Sequence, residues 1–189
     1  LKTVLLGLSR APLMKRIVVG FPLTRRVVQR FVAGETTDDC LRVVRALLAS
    51  NLMATVDFLG EDTVTVAQAD RVTDTYVELL NRLAAEGLAD RVEVSIKLSA
   101  LGSLLKDGYE LALDNARVIC GAAARTGTTV TVDMEDHATT DATLRTVRAL
   151  RGDHPWAGAV LQAMLFRTTN DCAGQTGEGM RVRLCKGAY

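Results

Sequence analysis

Five short runs share one alternation, and it restricts the fold more than any other feature of the chain. In residues 128–137, T-T-V-T-V-D-M-E-D-H, Val130, Val132 and Met134 fall on one face and Thr131, Asp133 and Glu135 on the other, because successive side chains of a strand point to opposite sides. The pattern recurs upstream, where Val92, Val94, Ile96 and Leu98 oppose Glu93, Ser95 and Lys97, and in residues 54–59, where Thr55 and Asp57 oppose Val56 and Phe58. Downstream, residues 160–166 put Gln162 on a face with Val160 and Met164, and Arg181 and Arg183 oppose Val182 and Leu184. Buried charge is costly unless paired or used. Five strands that each carry polar groups on a common kind of face describe a lined site rather than a plain core.

Helical segments separate these runs. Thr36, Thr37, Asp38 and Asp39 form a start signal ahead of Leu41, Val44, Leu47 and Leu48, with a hydroxyl cap and acids in the first turn. Residues 65–86 place Ala69, Val72, Tyr76, Leu79, Leu80 and Leu83 at helical spacing before Gly87. Further helices are predicted over 109–125, ahead of Gly127, and from Thr139 to the terminating Gly152; the crossover after residue 166 is short and rich in glycine, with room for about two helical turns. Strand starts at 53, 92, 128, 160 and 181 give a β-then-α rhythm, which implies parallel strands joined by right-handed crossovers. No G-x-G-x-x-G follows the first strand, as a doubly wound nucleotide-binding sheet would favour. The polar inner faces point instead to a (βα)8 TIM-type barrel, whose chemistry lies at the C-terminal ends of its strands. Five strands do not close such a barrel. The chain begins at Leu1 and stops just as a strand finishes, so the expectation is a barrel fragment truncated after strand five, residues 36–189, preceded by a basic helical lead-in over 1–35.

That lead-in holds Lys2, Arg10, Lys15, Arg16, Arg25, Arg26 and Arg30 and no acid up to residue 34, so a net charge of +1 conceals a mildly acidic body. Packing on the domain is its first reading; contact with an anionic membrane surface is the second. No run reaches the roughly 18–20 apolar residues of a membrane span, and no cleavage pattern marks a signal peptide. A cytoplasmic location, with peripheral contact at the inner membrane surface as the variant, is expected, and the balanced charge argues against nucleic acid. Cys40, Cys120, Cys172 and Cys185 are too widely spaced to signal zinc or a disulfide framework. His137 sits among acids that alternate faces, so no metal site is expected. His154, Pro155 and Trp156 read as a turn plug.

Lys97, Asp133, Gln162 and Arg183 come from four different strands, each near a C-terminal end and on the predicted inner face. Two fixed cations suit a substrate carboxylate or a cofactor that gains negative charge, and Asp133 suits orienting a cation or handling a proton. The alternative is an internal salt-bridge network, Lys97 with Asp133 and Arg183 with Glu93 or Asp57.

The motifs K97-L-S, V-D133-M-E-D, L-Q162-A with Arg167 after it, and above all V-R183-L-C-K186-G-A-Y resemble the flavin-dependent proline dehydrogenase family from about residue 36 onward. The resemblance implies a (βα)8 barrel that binds FAD at its C-terminal rim, oxidises L-proline to Δ1-pyrroline-5-carboxylate and passes electrons to a quinone. By position it implies that Lys97 pairs with the proline carboxylate and that Asp133 and Arg183 form the active-site pair. Met134, Gln162, Lys186, Gly187 and Ala188 are implied as FAD contacts, Met134 through its backbone because its side chain falls on the helix face. Cys185 stands where an aliphatic residue is common, and Met164 where an aromatic often follows the glutamine. Because family members carry three more strands, the 189-residue chain alone is expected to be inactive. The rival function on the same barrel is a metal-assisted lyase or aldolase using Asp133, Glu135 and Lys97; a third reading is a non-catalytic binding module built on the basic leader.

Overall fold

The computed structural model describes residues 32–60, 63–175, 177 and 179–187. These fall into two compact units, one up to Ala46 and one from Leu47 onward. Most of the expected lead-in, residues 1–31, lies outside the described residues. In the first unit, helix α1 (Thr37–Ala49) begins as expected: Thr36 Oγ1 accepts the Asp39 amide at 3.1 Å, satisfying one of the otherwise unpaired donors of the first turn.

The second unit alternates strictly. Strands β1 (Ala54–Asp57), β2 (Val92–Ile96), β3 (Thr129–Val132), β4 (Gly158–Gln162) and β5 (Val182–Cys185) are separated by helices α2 (Val66–Ala85), α3 (Gly108–Thr126), α4 (Thr140–Asp153) and the short α5 (Thr168–Ala173). The strands lie side by side in sequence order and every neighbouring pair is parallel. It is the curled wall of a (βα)8-type barrel, five staves wide.

Apolar burial on the outer face holds it together. Val94, Ile96, Val130, Val132 and Leu161 are buried, covered by helical stripes that include Leu79, Leu80, Leu83, Ile119 and Val147. Each such side chain withdrawn from water contributes about 1.5–3 kcal/mol. Helix α2 starts with a reciprocal capping box between Thr65 and Gln68, and α3 ends at Gly127 in the left-handed conformation. The last stave is barer: Val182 and Leu184 remain 43% and 60% exposed on the same outer face.

The fourth strand departs from expectation. It runs from Gly158 to Gln162, not over 160–166. Gly158 carries no β-branched signal, yet it belongs there because a Cβ at that position would lie 2.5 Å from Thr131 Oγ1 on β3. At the other end the Leu165 amide turns back to the Gln162 carbonyl at 3.2 Å, which leaves Met164 beyond the strand and Phe166 wholly exposed. Gly152 does not stop α4, which runs one residue further and ends as the His154 amide bonds the Leu150 carbonyl at 2.7 Å.

Candidate active site

The register places the inner-face residues in rows. Asp57, Ser95, Thr131 and Gly158 form one row. One layer nearer the C-terminal rim come Lys97, Asp133, Val160 and Arg183, each the residue after the aligned set Ile96, Val132, Ala159 and Val182. Gln162, paired with Cys185, lies one layer further. Lys97, Asp133, Gln162 and Arg183 are thus brought to one rim, as the alternation implies.

Their partners differ in part from the expected network. Lys97 Nζ pairs with Asp57, not with Asp133. Arg183 meets Asp133 Oδ1 at 2.8 Å and Ser95 Oγ at 2.7 Å, with Glu93 Oε1 at 3.7 Å. Arg181, the residue before β5, pairs with Glu93. The stagger of the staves explains the exchange, since β1 ends one layer below Lys97 and offers its last carboxylate upward. Burial lifts the Asp57 carboxyl above its ordinary value, with Lys97 pulling against that and the Asp133 charge adding to it. The outcome is a wall of opposed charges with limited access to water, where an ion pair is held more strongly than at an open surface.

The partners of this wall are harder to read from the sequence. Tyr76 is read there as part of an apolar stripe, yet its hydroxyl accepts the Phe58 amide at 3.0 Å and donates to the Ser95 carbonyl at 2.6 Å. Burial pushes its phenol well above the ordinary range, so it acts as a neutral hydroxyl. Ser95 offers only its place in the alternation. Glu135 accepts the Ser99 amide at 3.0 Å and also its hydroxyl, tying the turn after β2 to the turn after β3. Both carboxylates proposed for a metal-assisted reaction, Asp133 and Glu135, therefore turn to separate protein partners. Among the described residues no three His, Cys, Asp or Glu side chains gather as metal ligands.

The described positions implied for a flavin lie at the same rim as the Asp133–Arg183 pair. Gln162, 2% exposed, donates through Nε2 to the carbonyls of Glu135 at 2.8 Å and Met134 at 3.4 Å, while its buried Oε1 has no donor among the described residues. Met134 is buried in a cluster with Leu144 of α4 and with Val160 and Leu161. Gly187 has φ 91°, and a Cβ there would lie 2.9 Å from Gln162 Oε1 and 2.7 Å from Met164. Lys186 is exposed, and its carbonyl accepts the Met164 amide at 3.0 Å. Ala188 lies outside the described residues. An orphaned buried acceptor, a side-chain-free passage and a fixed guanidinium fit a polar ring system that donates N–H and gains negative charge. A separate depression of about 320 Å³ near Met53, Glu93 and Arg181 opens at the opposite, N-terminal end of the wall and touches none of these residues.

Parallel staves, apolar outside and lined inside by ion pairs that bring Lys97, Asp133 and Arg183 to their C-terminal ends, define the class: a (βα)8-type barrel. Within that class the chain belongs to the proline dehydrogenase family, whose model, described as "Proline dehydrogenase", matches residues 40–189. It is 34% identical to proline dehydrogenase 1 of Bacillus subtilis (strain 168) over 166 residues, covering 88% of this chain and 54% of that protein. It is 35% identical to the proline dehydrogenase of Deinococcus radiodurans, covering 86% and 53% respectively. The chain thus spans about half the length of these relatives. In structure it resembles proline utilization A (PutA) from Bdellovibrio bacteriovorus, inactivated by N-propargylglycine, with a TM-score of 0.79 at 26% identity over 88% of this chain and 21% of that one. Among the described residues no helix is long and apolar enough to cross a membrane.

Proposed function

We propose that the protein oxidises L-proline to Δ1-pyrroline-5-carboxylate with FAD as cofactor and a quinone as electron acceptor, the activity belonging to these five staves together with the further length seen in the relatives. The observation that carries this reading is the convergence of Lys97, the Asp133–Arg183 pair and the orphaned Gln162 acceptor on one rim.

Lys97 takes the proline carboxylate, which orients the ring so that the carbon next to nitrogen on its far side faces the cofactor; that is positioning rather than bond making. Gln162, the backbone of Met134, and residues 186–188 would hold FAD, which would supply the two-electron acceptor. The Arg183 guanidinium would stabilise the negative charge that reduction places beside it. Asp133 orients the guanidinium at 2.8 Å. The amine proton of the substrate must also be lost, so the reaction removes one hydride and one proton overall. Residues 36–189 serve as the first five βα units, and residues 1–35 as a lead-in whose basic side chains suit the anionic membrane surface where a quinone resides.

The test is a chain extended to the length of the relatives, purified and titrated with L-proline without oxygen. A yellow protein that bleaches with proline and is reoxidised by a soluble quinone is expected. A colourless protein that needs a divalent metal would transfer the site to the lyase reading.

A further inference from the structure

The hydroxyl of Tyr76 occupies a place that the sheet itself leaves open. The ladder between β1 and β2 ends at Asp57 opposite Ser95. At the next rung the Phe58 amide and the Ser95 carbonyl do not meet; the Tyr76 hydroxyl stands between them, accepting at 3.0 Å and donating at 2.6 Å. It does what a bridging water does, but on a tether from helix α2. Tyr76 is 2% exposed and is one of two polar residues, with Thr73, in an otherwise apolar buried stripe. Thr73 needs no reason beyond its own helix, since its hydroxyl bonds the Ala69 carbonyl at 3.0 Å. Tyr76 reaches across to two strands. A single phenolic proton is used on Ser95, and Asp57 Oδ1 lies 3.5 Å away, within reach of the hydroxyl dipole. The other oxygen of Asp57 holds Lys97. Ser95 in turn offers its Oγ to Arg183 at 2.7 Å.

We infer that Tyr76 is a positioning residue that acts through Asp57: by wedging the rim between β1 and β2 it fixes the Asp57 carboxylate, which sets the Lys97 ammonium where a substrate carboxylate meets it. This rests on the assignment of Lys97 to that carboxylate. The wedge itself touches no reacting atom. Removing the hydroxyl leaves an amide and a carbonyl to find new partners, and the rim between β1 and β2 relaxes while the apolar ring stays packed.

The experiment is a double-mutant cycle in the complete flavin-loaded protein, with binding of cyclopentanecarboxylate read from the flavin spectrum. Tyr76→Phe is expected to weaken binding about 3- to 10-fold, the range one hydrogen bond supplies, with flavin content unchanged. In a Lys97→Ala background the same substitution should have no further effect, because interacting residues are non-additive. Unaltered affinity in Tyr76→Phe, or equal losses in both backgrounds, overturns the inference and reduces Tyr76 to a packing residue. If Lys97→Ala alone leaves affinity unchanged, the carboxylate assignment falls and the inference falls with it. Should Tyr76→Phe not fold, Asp57→Asn replaces it in the cycle, with the same required loss of effect in the Lys97→Ala background.

Discussion

The two faces of this one sheet obey different rules. On the outer face Val94, Ile96, Val130, Val132 and Leu161 are buried against helices, and their attraction has no direction. On the inner face the partners are specific: Lys97 has Asp57, Arg183 has Asp133 and Ser95, and Arg181 has Glu93. The first face stabilises by area removed from water; the second spends part of that stability to keep ions desolvated. Alternation along each strand lets both occupy the same few residues without mixing.

Three substitutions in the extended protein sharpen that division. Arg183→Met should slow flavin reduction by proline about 10²- to 10³-fold, as loss of a fixed charge-stabilising donor does, with thermal stability close to wild type. Stopped-flow bleaching at the wild-type rate would mean the inner face is structural after all. Leu80→Ala, in the fully buried stripe of α2, should lower the unfolding free energy by about 2–5 kcal/mol while each folded molecule keeps its reduction rate. Denaturant titration alongside the same bleaching assay measures both, and a rate loss like that of Arg183→Met would erase the distinction between faces. The smallest effect concerns Asp57. Burial raises its folded pKa above the ordinary 3.8, so the neutral form is favoured in the fold and its stabilising contribution is lost as pH rises through the acid range. The stability of wild type relative to Asp57→Asn should therefore decline from about pH 3.8 upward. A rise instead would show that the Lys97 pair outweighs burial.

The strand order, the β-then-α rhythm and the inner-face set were legible because period-two alternation and helix caps are local signals. The pairings were not. Whether Lys97 meets Asp133 or Asp57 depends on register, which the sequence leaves open: Asp57 ends a strand one layer lower and forty residues earlier. Tyr76 was hidden because its ring satisfies a helical stripe whatever its hydroxyl does. Gly158 was missed for the opposite reason, since a residue selected for having no side chain leaves no propensity to read. Of the site implied by the resemblance, Lys97, Asp133, Gln162, Arg183 and Gly187 gather at one rim in the fold.

The passage of the chain at Gly187 has a consequence for inheritance. Every single-base change in a glycine codon that puts another amino acid in its place installs a residue with a β-carbon. At Gly187 that carbon meets two obstacles at once: a φ of 91° that L side chains rarely adopt, and contact at 2.7–2.9 Å with Met164 and Gln162. Met164 can swing aside, but the dihedral stays. No one-step replacement of this glycine escapes that strain, whatever Met164 does.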